Sequence, residues 1–191
     1  MSNKIFSEQI EGFYHYYPTT VAVVTVKSGE RDNLMSAAWH TPLSSKPPLF
    51  GVAMAHKRYT FELIREAKEF AVNFMPFSAA ETIAQAGAVS GRDVDKFKQF
   101  NFAAEPGKKI KSPILNDAYA AYECKLFEHK TFGDHVLVVG EIVAAHQLDN
   151  GYAPEGLPRI EQLKPAVYIG KDHYLEIEKY NTIHLDRKAY K

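Results

Sequence analysis

Thr20-Val21-Ala22-Val23-Val24-Thr25-Val26 is an apolar, β-branched run and predicts a buried strand. Ser28-Gly29-Glu30-Arg31-Asp32 follows as a turn. Asn33-Leu34-Met35-Ser36-Ala37-Ala38-Trp39-His40 then resumes with side chains that are small for a strand, which predicts that something packs closely on its backbone. Outward from here the pattern repeats. Residues 49–54 and 70–75 predict apolar strands, and 61–69 between them predicts a helix with Thr60 as its N-cap. Ser78-Ala79-Ala80-Glu81 has capping-box spacing and predicts a second helix to about Ala86. Residues 118–128 and 135–146 predict two long strands around Thr131-Phe132-Gly133-Asp134, and 166–169 with 174–177 a last hairpin. Residues 7–14 read as a short amphipathic piece and 149–164 as a Gly- and Pro-rich surface loop. Many short strands with few helices predict a mainly β domain, a β-barrel or sandwich with helices added. Alternating βα units are absent, which argues against a doubly wound nucleotide fold.

Composition narrows the classes. The chain has 191 residues, enough for one domain with a sizeable core. Lys+Arg and Asp+Glu both number 23, so the net charge is zero, without the basic bias of a protein that grips nucleic acid by charge. No run approaches the length of a membrane span, and residues 1–11 lack the apolar core of a signal peptide. Cys124 is the one cysteine, which excludes a disulfide framework and a Cys-based zinc cluster within one chain. The expectation is a soluble cytoplasmic protein that binds neither nucleic acid nor membrane and holds no metal. No GxxxxGK[ST], GxGxxG, GxSxG or HExxH motif occurs, and the eight histidines form no pair on one helix face.

Two segments could carry chemistry. His56-Lys57-Arg58-Tyr59-Thr60 puts two cations, a phenol and a hydroxyl at a helix N-terminus, a sound phosphate seat. The alternative is a solvated basic loop with Thr60 as an ordinary cap. Ser36, Ala37 and Ala38 leave room for a flat ring on the backbone, and the hydroxyls of Ser36, Thr41, Ser44 and Ser45 add donors and acceptors. The alternative there is a tightly packed strand and a Pro-rich crossover. Arg92-Asp93 and Asp95-Lys96 read as a salt-bridged surface turn, and Lys108-Lys109-Ile110-Lys111 as a solvated loop. Cys124 reads as a small apolar packing group.

Several motifs in order resemble the flavin reductase-like family, the FMN-binding split-barrel proteins that include flavoredoxin. They are Pro18-Thr19-Thr20-Val21, Asn33 through Trp39, Ser44-Ser45-Lys46-Pro47-Pro48-Leu49, Arg58-Tyr59-Thr60, Asn73 in its strand, Ser90-Gly91-Arg92-Asp93-Val94-Asp95-Lys96-Phe97, Gly133-Asp134-His135 and Gly140-Glu141. The resemblance covers about residues 10–178 of a single domain, 1–191, leaving 179–191 as a tail. It implies a split β-barrel, a homodimer and bound FMN. Met35, Ser36, Ala37, Ala38, Trp39, His40 and Thr41 would line the isoalloxazine; Arg58, Tyr59 and Thr60 would hold the phosphate. Ser90 and Arg92 would close over the flavin, and His135 would stand near the nicotinamide or substrate. The implied function is an NAD(P)H-dependent flavin reductase, with NADH or NADPH as co-substrate and a small molecule or a protein as acceptor. The alternatives are a flavoredoxin-like carrier reduced by a protein partner, a split barrel for haem or a deazaflavin, and a flavin store.

Overall fold

A computed structural model describes residues 4–10, 12 and 14–185. The β-branched run forms β1 (Thr19–Thr20) and β2 (Ala22–Ser28), and the turn at Gly29-Glu30 leads to β3 (Arg31–Ala37). Next come β4 (His40–Ser45), β5 (Pro48–Ala55), helix α1 (Tyr59–Ala67), β6 (Glu69–Phe74) and α2 (Ala80–Ala88). The short α3 (Lys96–Gln99), β7 (Ala104–Pro106) and β8 (Pro113–Leu115) precede the long pair β9 (Ala120–Phe132) and β10 (His135–Gln147). The chain finishes with α4 (Ile160–Leu163), β11 (Val167–Gly170) and β12 (His173–Leu175).

Seven strands form one antiparallel sheet in the order β3-β2-β6-β9-β10-β5-β4. The strands at its two edges, β3 and β4, are neighbours in sequence, joined only by Ala38 and Trp39. Two residues span little more than 10 Å from Ala37 to His40. The sheet therefore rolls until its edges nearly meet, yet they do not pair: this is an open, split barrel. The link itself bonds to β5, where Ala53 N–H donates to the Trp39 carbonyl at 2.9 Å. β1, β11 and β12 form a separate small sheet.

β2 is buried on both faces, which explains its nearly unbroken apolar run. Ala22, Val24 and Val26 pack with Phe50, Val52, Met54, Phe70 and Val138 and with Leu63 and Ile64 of α1. Val21 and Val23 pack on the other side with Leu34, Met75, Ile83 of α2 and Leu115. Asn73 stitches the layers: its Nδ2 donates to the Val23 carbonyl at 3.0 Å, and its Oδ1 accepts from Leu115 N–H at 2.9 Å.

The fold corrects several expectations. Residues 4–10 are not helical; Ile5, Phe6 and Ile10 are exposed, so no core face supports a helix there. Glu11, Phe13 and the tail beyond 185 lie outside the described residues. β4 was hidden by its polar, Pro-bearing sequence, which an edge strand tolerates. Helix α1 starts at Tyr59 with Arg58 at the N-cap; Thr60 is buried, and its hydroxyl accepts from Asn33 Nδ2 at 2.9 Å. The capping box at Ser78 is not made; a 3-10 turn, Phe77–Ala79, leads into α2 without a side-chain cap. The loop 149–164 contains α4.

Lys108, Lys109 and Lys111 are exposed in a loop, as expected, but the backbone of that loop is anchored. The fully buried Glu123 carboxylate accepts from the backbone N–H groups of Lys108, Lys109 and Ile110 at 2.6–3.0 Å, and contacts His146 Nε2 at 2.5 Å. Burial alone would raise its pKa, but His146 and the three amides hold it below the ordinary 4.5. The unfolded carboxyl therefore binds protons more readily than the folded one. The stabilisation is present above about pH 4.5 and lost as the pH falls through the depressed folded value. Glu123→Gln is expected to cost about 2–4 kcal/mol at neutral pH. Denaturant melts should show that gap and its narrowing in acid.

Candidate functional site

The link between the sheet edges floors a cavity of about 620 Å³. Met35, Ser36, Ala37, Ala38 and Trp39 form one side, Ala53 to Ala55 of β5 another. α2 contributes Ala84, Gln85, Gly87 and Ala88, and the far wall comes from Tyr168, Asp172 and Tyr174 around the last hairpin. α2 comes this close because of Gly87: a Cβ there would lie 2.5 Å from Ser36 Oγ. Small side chains on the floor, with walls that mix aromatic rings with the polar groups of Glu81, Gln85 and Asp172, suit a flat ring with a polar edge.

A second hollow of about 350 Å³ continues from the first and shares Met35, Arg58, Gly87 and Ala88 with it. Its charged lining groups are Lys57, Arg58 and Lys96, and no carboxylate lines it. Lys96 is buried; its Nζ donates to the carbonyls of Leu34 at 2.8 Å and Ala86 at 2.7 Å, tying α2 to β3. Burial, with Arg58 adding to it, pushes its pKa down to about 8. Asn33 Oδ1 is buried without a hydrogen-bond partner and lies where a Cβ on Gly91 would be, 2.0 Å away. A small, cationic well with an unused polar atom fits an anion carrying hydroxyl groups.

The residues singled out in the sequence divide between four places. Met35 to Trp39, Arg58 and His135 line the large cavity. Arg58, Tyr59, Thr60 and Ser90 line the cationic well. His40 and Thr41 line neither; they face an apolar hollow with Trp39, Gly51 and Leu137. His40 stacks on Phe50 at 5.7 Å and donates Nε2–H to the Thr20 carbonyl at 3.0 Å, and burial lowers its pKa, leaving it neutral. Arg92 lies outside the well, its guanidinium 4.7 Å from the Tyr59 ring centre and paired with Glu62. The expected pairing of Arg92 with Asp93, and of Lys96 with Asp95, is therefore replaced. Asp95 caps α3 through Lys98 N–H at 3.2 Å, and Lys96 turns inward.

His135 starts β10, beside Trp39 at 4.7 Å between ring centres. Its Nδ1 lies 2.7 Å from Asp134 Oδ1. A carboxylate accepts only, so Nδ1 carries the proton and Nε2 is the nitrogen left for a ligand. The Cys124 thiol is fully buried and pushed up to about 12, which suits packing and not redox work. Among the described residues, no three His, Cys, Asp or Glu side chains gather as a metal site, and no helix is long and apolar enough to cross a membrane.

Sequence reasoning missed Lys96, Asn33 as an anion-well residue, Gly87 and the Tyr168–Tyr174 wall. Only the last had a signal, the aromatic hairpin near the C-terminus; Lys96 sits in a charged run that reads as surface.

Residues 13–176 match the model of the flavin reductase like domain. An uncharacterised protein of Archaeoglobus fulgidus is 35% identical over 137 residues, 72% of this chain and 77% of that one. Among solved structures, an FMN-binding protein from Thermus thermophilus is 38% identical, with a TM-score of 0.81 over 95% of this chain and 100% of that one. Flavoredoxin from Methanosarcina acetivorans is 27% identical, with a TM-score of 0.81 over 100% and 98% of the two chains.

The Asn33–Gly91 contact is a tight one. Gly91→Ala is expected to push Asn33 into the well and cost about 1–3 kcal/mol. A thermal melt lowered by several degrees relative to the unaltered chain checks it.

Proposed function

We propose that this chain, which belongs to the flavin reductase-like family, is an FMN-dependent oxidoreductase that takes reducing equivalents from NADH or NADPH and passes them to an acceptor. The observation that carries this reading is the junction of a ring-sized cavity with a carboxylate-free cationic well. The similarity to an FMN-binding protein and a flavoredoxin supports the choice of FMN. FMN, when bound, supplies a ring that accepts a hydride and releases electrons.

The protein's part is binding, orientation and exclusion of water. Lys57, Arg58 and Lys96 would hold the phosphate, and Ser90 and Asn33 the hydroxyl-bearing tail. The backbone of Ser36 to Ala38 would carry the ring, with Trp39 and His135 beside the face left for the co-substrate. No side chain needs to act as acid or base for hydride transfer; His135, fixed by Asp134, can offer Nε2 to a polar group of the bound partner. The apolar hollow of about 500 Å³ and the exposed Leu43 on β4 support a homodimer as part of the same proposal. The Thermus protein is described with bound cyclohexenone and with p-hydroxybenzaldehyde, so small carbonyl compounds are the first acceptors to try.

The rival reading is a flavoredoxin-like carrier that holds FMN behind the fixed aromatic pair Trp39 and His135 and is reduced by a protein. Anaerobic titration of the flavin-loaded protein with NADH and NADPH separates the two: rapid bleaching by either nucleotide supports the reductase, and persistent flavin absorption the carrier. Arg58→Ala is expected to weaken FMN binding by about 10–100-fold with an unchanged melt; unaltered affinity would refute the phosphate assignment. Because free Lys96 titrates near pH 8, FMN affinity should fall as the pH rises through that value. Fluorescence titrations should show that fall, and its loss in Lys96→Arg.

A further inference from the structure

Four tyrosines stand ring to ring from the large cavity to the surface. Between ring centres, Tyr174 lies 5.4 Å from Tyr168, Tyr168 lies 5.2 Å from Tyr17, and Tyr17 lies 5.7 Å from Tyr16. Each spacing is that of aromatic rings in direct contact. The small sheet builds the row: Tyr168 and Tyr174 are cross-strand partners on β11 and β12, and β1 pairs with β11 just after Tyr17. Tyr17, Tyr168 and Tyr174 line the ring cavity. Tyr16 does not; it lines the apolar hollow and is 49% exposed in the single chain. A second run of rings in contact, His40, Phe50 and Phe74, is interrupted by phenylalanine. A phenol gives up an electron more readily than a phenyl ring, because its cation can shed the hydroxyl proton.

We propose that the four phenols are a one-electron route out of the ring cavity, which carries the oxidising equivalent of a light-excited flavin to Tyr16. The inference rests on the flavin reading above. A flavin excited by blue light is a strong one-electron oxidant. It takes one electron from a phenol of the cavity wall. Each phenol in turn is refilled by the next, and the vacancy comes to rest at Tyr16, whose hydroxyl proton passes to water. The flavin has then gained one electron, and Tyr16 has lost one electron and one proton. Return of both restores the starting pair, and separation along the row slows that return. Trp39 also lines the cavity and is the competing donor.

The test flashes the anaerobic, flavin-loaded protein with blue light and follows the absorption and electron paramagnetic resonance of any side-chain radical. The unaltered chain is compared with Tyr16→Phe, Tyr17→Phe and Trp39→Phe, each checked for flavin loading and by a thermal melt. Phenylalanine keeps the ring packing and removes the hydroxyl. A long-lived neutral tyrosyl radical is expected in the unaltered chain and in Trp39→Phe. Its long lifetime should be lost in Tyr16→Phe and in Tyr17→Phe; the exposed Tyr16 position keeps the test open if Tyr17→Phe fails to fold. Loaded protein without a tyrosyl radical would overturn this inference and leave the flavin reading standing. So would a lifetime unchanged in Tyr16→Phe, or a radical that vanishes in Trp39→Phe. Failure of the chain to bind flavin would overturn both.

Discussion

The two residues Ala38 and Trp39 hold the architecture to one solution. They join the outermost strands of a seven-stranded sheet, so the sheet cannot lie open, and its edges can be no farther apart than the link allows. The barrel is closed by covalent chain and not by hydrogen bonds along the seam. An unpaired seam normally exposes backbone donors and acceptors. Here it is floored by Ser36, Ala37 and Ala38, covered by α2, and walled by the last hairpin, so the place where the barrel fails to close becomes the cavity. The short side chains that look anomalous in a strand are what an uncovered seam needs if a ring is to lie on it.

Two buried charges of opposite sign stabilise this arrangement in different ways. Glu123 gathers three amides and a histidine and fixes the segment before β8 to β9. Its needs are met within the protein, and it works as an anchor. Lys96 gathers two carbonyls, one from β3 and one from α2, and so clamps the cavity roof to its floor. An ammonium has three donors. The two carbonyls use two of them, in a well whose other charges are also positive; under the proposed function the flavin phosphate is the anion that balances them. On that proposal Glu123 serves the fold alone, and Lys96 serves both the fold and the ligand.

Much of the fold was legible because its signals are local. The β-branched run of β2, the hairpin turns and the long β9–β10 pair each declare themselves within ten or so residues. β4 did not, since an edge strand of His, Thr, Pro, Leu and Ser is polar enough to read as a crossover. The site was legible in its first half: residues 35–39 and the basic segment before α1 were readable from side-chain size and charge. His40 and Thr41 continue the same segment, yet they line a separate apolar hollow that begins at Trp39. Lys96 was invisible for the opposite reason. Its neighbours Asp93, Asp95 and Lys98 are exposed, and nothing in the run says that one member turns inward to bond two distant carbonyls.

Cys124 leaves this protein chemically quiet toward thiol reagents. It is the single cysteine of the chain, enclosed between Phe70 and Ile142, with its thiol held neutral well above ordinary working pH. Only thiolates attack disulfides, maleimides and peroxides at useful rates. The folded chain therefore presents no reactive thiolate. It also offers a background-free frame for spectroscopy, since a cysteine introduced at any exposed position would be the one that takes the label.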